Sequence, residues 1–306
     1  MAHEMADFDA AASLAAASLV YPGRIPVLPR RLKYRLLEFY ETYKRELPFR
    51  KNSRISGVKI HDLILTDTQI LPVSPSILSN VRVRVIDHHP LQEYIPSGWD
   101  VHIDEVGACA TLWTEKLKEA GILPKGILAT LMLMGIYDDT GQFTFGGTTP
   151  RDLNAAAWLL QCGADLDEAV RWINPPLNES QIRLRDRLLE NCGTYSLLMS
   201  ELTICEADIR DLNGEFSPAA RNIQELLDPE LLIVMLHAKN GIQLICRGKS
   251  DRVDAGQLMR RFHGGGHKRA SAGFVPVYSE RDLQSAADEI REEILGLLNN
   301  EGYLQQ

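Results

Sequence analysis

Residue types able to hold a hard cation recur at four separated places in this 306-residue sequence: His3, Asp7 and Asp9 near its start, Asp67, Asp87-His88-His89, and Asp139. Asp67 closes the apolar run 61–67, Asp87 closes the run 81–87, and Asp139 follows the apolar stretch 131–136. Ligands of parallel sheets gather just beyond the carboxyl ends of the strands, so this spacing predicts that distant segments deliver acids to one sheet edge. His3, Asp7 and Asp9 precede the first predicted helix, where a further strand end is expected. Carboxylates gathered this closely repel one another unless cations neutralise them. Oxygen ligands with a few imidazoles suit Mn²⁺ or Mg²⁺ better than zinc or copper. Two such ions about 3.5–4 Å apart can bridge a phosphate, lower the pKa of a water and stabilise a leaving oxygen. The chemistry so indicated is hydrolytic phosphoryl transfer.

The elements that must position these groups alternate over the first two-thirds of the chain. Helices are predicted over 9–19, 31–43, 107–120 and 125–137, with short strands over 25–28, 61–67 and 81–87. A further helix starts at Thr149-Pro150-Arg151-Asp152, with an N-cap threonine, proline at the first helical position and an acid in the first turn. Such alternation predicts an α/β fold with a mainly parallel sheet wound by right-handed crossovers. Asn174-Pro175-Pro176 stops a helix, and a charged helix over 180–190 reads as a linker. Strands over 195–205, 231–238 and 242–246 and helices over 255–262 and 281–298 predict a smaller mixed α/β domain. The expected division is a metal-binding domain over 1–174, a linker helix over 175–192 and a substrate-binding domain over 193–306. The active-site cleft is expected between the two domains.

Composition narrows the class. Apolar residues make up 45% and charged residues 24%, which excludes disordered and fibrous chains. No apolar run is long enough to span a membrane, and the acidic start does not read as a signal peptide, so a cytoplasmic location is expected. Cys109, Cys162, Cys192, Cys205 and Cys246 are odd in number and lack CxxC spacing. They argue against a disulfide framework or a structural zinc and read as small buried apolar residues. A net charge of −8 disfavours a long duplex as partner, yet residues 245–270 hold seven basic and two acidic residues, a local balance of +5. That patch is sized for a few phosphates. His61, His102, His237 and His263 have no ligand-like neighbour in sequence and read as surface or capping residues. Trp99, Trp113 and Trp172 read as packing anchors.

The order of the motifs resembles the DHH phosphoesterase superfamily, which includes RecJ-type exonucleases, nanoRNases, cyclic-dinucleotide phosphodiesterases and family II pyrophosphatases. The His-x-x-x-Asp-x-Asp-Ala motif matches His3 to Ala10, the isolated Asp matches Asp67, the name-giving triplet is Asp87-His88-His89, and Asp-Thr-Gly-x-Phe matches Asp139 to Phe143. The DHH-associated domain's Gly-Gly-Gly-His signature matches Gly264-Gly265-Gly266-His267. The family places an apolar strand before its first motif, where this sequence has Met1-Ala2. Finer details, among them Tyr21-Pro-Gly and Thr148-Thr-Pro-Arg-Asp152, are similar to the DHH module fused to CBS and tRNA nucleotidyltransferase or poly(A) polymerase domains. The chain ends before any such segment, so either a longer parent chain or a shorter relative is implied.

The resemblance implies His3 and Asp7 on one metal, Asp9 and His88 on the other, and Asp67 and Asp139 bridging or shared, with Asp139 preferred over Asp138. His89 would contact the substrate phosphate or assist proton transfer, and Asp87 would orient the histidines. The implied cofactor is two Mn²⁺ ions, with Mg²⁺ or Co²⁺ as substitutes. Consecutive glycines let a backbone approach a phosphate closely, and the resemblance adds Arg247 and His267 as nucleotide contacts. The expected activity is cleavage of short single-stranded oligonucleotides or small nucleotides. A non-catalytic nucleic-acid-binding module of a nucleotidyltransferase-type protein is the second reading. A pyrophosphatase or exopolyphosphatase is the third. The oligomeric state is left open, a homodimer included.

Overall fold

A computed structural model describes residues 1–51, 58–72, 76–197, 201–250, 252–278 and 282–299 of the chain. Asp251, the expected helix start at 281 and residues 198–200 of the expected strand over 195–205 lie outside the described residues. The chain forms two compact units, Met1–Pro175 and Pro176–Gln306.

The first unit runs α1 (Phe8–Val20), β1 (Val27–Leu28), α2 (Tyr34–Tyr43), β2 (Arg50–Lys51), β3 (Ile60–Thr66), β4 (Ile77–Asp87), β5 (Asp100–Ile103), α3 (Cys109–Glu119), α4 (Ile127–Asp139), α5 (Pro150–Gln161) and α6 (Leu166–Ile173). β3, β4 and β5 form a parallel sheet in chain order, and β1 pairs with β2, also in parallel. Register brings Thr66 beside Ile86 and Asp87 beside Ile103, so the carboxyl ends of the strands are level. Met1 lies alongside β3: its ammonium donates to the Ile64 carbonyl at 2.6 Å and its carbonyl accepts from Thr66 N at 3.0 Å. These two bonds are the pattern of a parallel ladder. They fix Met1-Ala2 where the resemblance expects a strand, and they carry His3 to the carboxyl end of the sheet.

Two helices make the core under that edge. α4 is buried on all sides, with Leu131, Met132, Leu133, Met134 and Ile136 at most 1% exposed. α1 meets it through alanines, Ala10, Ala11, Ala12, Ala15 and Ala16 being buried to the same degree. Small side chains let the two backbones close: a Cβ on Gly135 would stand 2.8 Å from Ala12 Cβ and 3.1 Å from Asp9 Cα.

The second unit runs α7 (Glu179–Glu190), β6 (Cys192–Ser196), β7 (Glu201–Asp208), α8 (Ser217–Leu227), β8 (Leu231–Ala238), β9 (Gly241–Gly248), α9 (Ala255–Arg260), β10 (Gly265–His267), β11 (Ala270–Pro276) and α10 (Asp282–Leu298). Its six-stranded sheet has the order β10-β11-β9-β8-β7-β6, parallel only between β7 and β8. α9 and α10 pack on one face, α7 and α8 on the other. The stretch read as a linker is folded onto this unit, because Leu184 and Leu188 of α7 are fully buried in its second core. The single strand expected over 195–205 is instead the hairpin β6–β7. That hairpin sets Cys192 opposite Cys205, and the two are joined by a disulfide. This corrects the reading of all cysteines as apolar packing: a cross-strand pair needs no CxxC spacing. β5, α6, α8, β10 and β11 are further elements that periodicity did not mark. No helix of the described residues is long and apolar enough to cross a membrane.

Gly135→Ala is expected to force α1 and α4 apart and to destabilise the chain by about 1–3 kcal/mol, as overpacking of a tight core does. Denaturant unfolding checks this, and an unchanged midpoint contradicts the packing argument.

Candidate functional site

The carboxyl end of the β3–β4–β5 sheet collects the acids and imidazoles singled out in the sequence. Asp67 follows β3, and its amide bonds to the Ile86 carbonyl at 3.1 Å, setting it against the end of β4. Asp87 ends β4, and His88 and His89 follow it. Asp7 is the N-cap of α1, and Asp9 lies in its first turn. Asp139 is the last residue of α4, the helix expected over 125–137, so it comes from a helix end where Asp67 and Asp87 come from strand ends. Four residues with positive φ flank these groups, namely Met5, Asp67, Gln142 and Phe143. Non-glycine residues held there mark a backbone that its surroundings constrain.

Each histidine's ring is oriented by its Nδ1. His88 Nδ1 lies 3.1 Å from the Val106 carbonyl and His3 Nδ1 lies 2.7 Å from the Glu4 carbonyl. A carbonyl only accepts, so both Nδ1 atoms carry the proton and both Nε2 atoms face the acids. His88 Nε2 stands 3.4 Å from Asp139, 3.6 Å from Asp67 and 3.9 Å from Asp9. His3 Nε2 stands 3.2 Å from Asp67 and 3.8 Å from Asp7. His89 is turned the other way. Its Nδ1 lies 2.9 Å from Asp87 Oδ1, and the half-exposed ring points its Nε2 away from that contact.

The acids are held from behind by neutral groups. Asp9, fully buried, accepts from Cys109 N and Ala110 N, both at 2.7 Å, at the N-terminus of α3. Asp87 accepts from His88 N at 2.8 Å and from Gln69 Nε2 at 2.9 Å. Gln69 also donates to the carbonyls of His89 and Pro90, closing the loop that bears the histidines. Buried Asp152 accepts from Gly107 N, Thr111 Oγ1 and Thr149 N, and so fixes the turn whose Val106 carbonyl holds His88.

Ligand atoms about 2.1 Å from one hard ion lie roughly 3 Å apart when adjacent and about 4 Å apart when opposed. The spacings around His88 Nε2 and His3 Nε2 fall in that range. Asp9, His88 and Asp139 form one group of donor atoms close enough to share an ion, and His3, Asp7 and Asp67 form another. His88 Nε2 and Asp67 Oδ1 are buried between these groups without a hydrogen-bond partner. Buried polar atoms left in that state are rare, and a divalent ion would satisfy both. The donor set therefore fits hard divalent cations.

Charge in the cluster is displaced accordingly. Burial, then the nearby Asp67 and Asp139, push the Asp9 carboxyl well up. Burial pushes Asp67 up to about 6 and, with Asp139 beside it, Asp138 up to about 6. Burial disfavours the Asp7 carboxylate, but His3 and Lys33 beside it win and hold it well below the usual range. Contact with Asp67 and Asp7 pushes His3 up to about 11. Burial opposes the charge on His88, yet Asp139 and Asp9 push it up to about 10.

In the second unit Arg247 lies on β9 and donates to Ser217 Oγ at 2.6 Å, at the start of α8. Burial lowers its pKa. Together with Gln243, Gly265 and Gly266 it lines a cavity of about 550 Å³. The three glycines serve different ends. A Cβ on Gly264 would stand 1.9 Å from the Ala272 carbonyl, and one on Gly266, at φ +144°, 2.5 Å from the Ala270 carbonyl, whereas one on Gly265 would meet nothing within 4 Å. His267 pairs through its backbone with Ala270 in β10–β11.

Sequence reasoning missed Lys33, Gln69, Asp138 and Asp152 as parts of this site. Asp138 sits beside a residue that was chosen, and Gln69 follows Asp67 by two. Lys33 and Asp152 reach the site only through the fold. His237 also has a partner that was not foreseen, Glu206 at 2.6 Å in the second unit.

The geometry defines a two-unit α/β chain with an acid–imidazole cluster at the end of a parallel sheet. No protein-family model matches the chain. An A-adding tRNA nucleotidyltransferase of Geobacter sulfurreducens is 31% identical over 281 residues, which is 89% of this chain and 32% of the relative. The chain thus spans about a third of the length of that relative. A bifunctional oligoribonuclease and PAP phosphatase NrnA of Thermus thermophilus is 26% identical over 225 residues, 72% of this chain and 65% of the relative. Among solved structures, an exopolyphosphatase-related protein from Bacteroides fragilis has the same fold, with a TM-score of 0.73 and 17% identity over 98% of this chain and 92% of that one. The fold, the motif order and these relatives support the reading of the chain as a DHH phosphoesterase.

Two outcomes are expected. With His3 and His88 raised to about 11 and 10, both rings are charged at pH 7, and an ion must expel their protons to bind. Mn²⁺ affinity should therefore rise with pH from 6.5 to 9, with at least one proton released per chain at pH 7. Calorimetry in two buffers of different ionisation enthalpy measures this, and pH-independent uptake contradicts the assignment. Separately, Gly264→Ala should cost more than about 2 kcal/mol of stability, while Gly265→Ala should stay within about 0.5 kcal/mol. Equal costs in denaturant unfolding would show that the glycines do not differ in role.

Proposed function

We propose that the chain is a metal-dependent phosphohydrolase that cleaves short single-stranded oligonucleotides or small nucleotides, with two Mn²⁺ ions as its cofactor. The observation that carries this reading is the pair of imidazoles, His3 and His88, each locked by a backbone carbonyl so that Nε2 faces carboxylates, with His88 Nε2 buried and without a hydrogen-bond partner. His3, Asp7 and Asp67 would hold one ion, and Asp9, His88 and Asp139 the other, with Asp67 close enough to serve both. Bound there, divalent ions would lower the pKa of a water and neutralise phosphate charge.

The chain's own residues do the rest. Backbone amides of α3 keep Asp9 aimed inward, and Val106 and Glu4 keep the His88 and His3 tautomers that present a lone pair. Asp87 fixes His89 through Nδ1, which leaves Nε2 free to donate to a substrate phosphate or to pass a proton to the leaving oxygen. In the second unit Arg247, the backbone at Gly265 and Gly266, and His267 would hold the nucleotide. The likeness to an A-adding tRNA nucleotidyltransferase favours a second reading, in which the chain is a nucleic-acid-binding module within a longer protein. CBS and nucleotidyltransferase domains would then be its companions.

An end-labelled RNA pentamer with Mn²⁺ separates the two. Wild type should release mononucleotides stepwise, Asp139→Asn should lose at least about 100-fold in kcat, and Arg247→Ala should raise KM about tenfold with little change in kcat. Binding of the pentamer without cleavage by wild type would favour the second reading. A fall in kcat alone for Arg247→Ala would remove it from substrate binding.

A further inference from the structure

The acid cluster already contains a cation that no motif marks. Lys33 Nζ lies 2.9 Å from Asp7 Oδ2. The contact is fixed by backbone on both sides: Leu32 bridges Ala6, Lys33 N donates to the Ala6 carbonyl at 2.8 Å, and Lys33 is the N-cap of α2. The ammonium therefore approaches Asp7 from the rim of the cluster, its side chain 57% exposed against 12% for Asp7. The other Asp7 oxygen accepts from Ala10 N at 3.1 Å and faces His3 Nε2 at 3.8 Å. Both oxygens of Asp7 are thus engaged before any ion arrives.

The second group of donor atoms differs in this respect. Among the described residues no lysine or arginine is paired with Asp9, His88 or Asp139. Their engaged partners are neutral: the Cys109 and Ala110 amides on Asp9 and the Val106 carbonyl on His88. An ion entering there must expel the His88 proton, as one entering the other group must expel that of His3, but it meets no lysine or arginine in contact. An ion entering at His3, Asp7 and Asp67 must either displace the Lys33 ammonium from Asp7 or bind within a few ångströms of it. Like charges that close cost at least a factor of about ten in affinity, even at the effective dielectric of a protein surface.

Resting on the two-position reading above, we propose that Lys33 makes the two metal positions unequal. Asp9, His88 and Asp139 fill first. His3, Asp7 and Asp67 fill second, with the Lys33 ammonium as the resident cation that the second ion displaces. Lys33 is then a positioning residue that sets how much metal the chain needs to be fully loaded, and it keeps Asp7 in place until that ion comes.

The test is a Mn²⁺ titration of the metal-free chain, following free aqueous Mn²⁺ by electron paramagnetic resonance, with no substrate present. Wild type should take up two ions in steps at least about tenfold apart. Lys33→Gln should tighten the second step by about tenfold or more and leave the first unchanged, while Lys33→Arg should keep the wild-type pattern. Asp139→Asn identifies the steps, since it should weaken the first. A cooperative melt of each metal-free variant controls for folding. Wild-type uptake in two steps with Lys33→Gln unchanged, or weaker at the second, overturns the role of Lys33 and leaves the metal reading standing. No uptake by wild type overturns the metal reading itself, and this inference with it.

Discussion

Repulsion between carboxylates crowded in a poorly hydrated place is the constraint around which the first unit is built. Asp7, Asp9, Asp67, Asp87 and Asp139 converge on one sheet end, and three of them are at most 3% exposed. Fixed cations could relieve this, but they would also occupy the ligand atoms. Backbone amides share the load: those of α3 on Asp9, that of Ala10 on Asp7, and that of His88 on Asp87. Amide dipoles stabilise a carboxylate without supplying a neutralising charge. The cluster therefore stays electronegative, which is what attracts a divalent ion and what drives His3 and His88 to hold protons in its absence.

Amides can do this only if the elements carrying them do not move. That requirement explains the unusual composition of α1 and α4. Alanines and Gly135 bring the two helices so close that Asp9 Cα itself lies against the α4 backbone position at Gly135. The same helix, four residues on, delivers Asp139, so one packing contact sets the distance between two of the acids. On the other side, Asp152 ties the turn at Gly107 and Val106 to α5, and His88 inherits its orientation from that turn. A residue whose sequence reading is a helix cap thus also governs an imidazole forty or more positions away from it.

What could be read from the sequence follows from these forces. The run 61–67 is legible as a short apolar run and 81–87 by the valines that alternate with Arg82 and Arg84, one face buried and the other carrying the arginines. Their terminal acids are legible because ligands collect at that end. The helix before Asp139 is legible because its apolar stretch, preceded by Lys125-Gly126, is long enough for a buried helix. Lys33, Gln69 and Asp152 left no local signal: each acts through a contact 18 to 45 residues distant, which no periodicity encodes. The hairpin β6–β7, and with it the Cys192–Cys205 bond, was hidden for the same reason, as pairing across strands depends on register and not on spacing.

The second unit shows how a single motif can mix two causes. Gly264-Gly265-Gly266 was read as a backbone opened for phosphate, yet two of the three glycines are already required by the close approach of β10 to β11. Only Gly265 faces open space, and it is Gly265 and Gly266 that border the cavity with Arg247. Arg247 has no carboxylate within ion-pair distance among the described residues, and it donates to Ser217 Oγ and to its neighbour's carbonyl. A guanidinium left without a counter-anion in a partly buried wall is stabilised by any anion that enters. In a chain of net charge −8, the basic residues around Arg247 are a local exception.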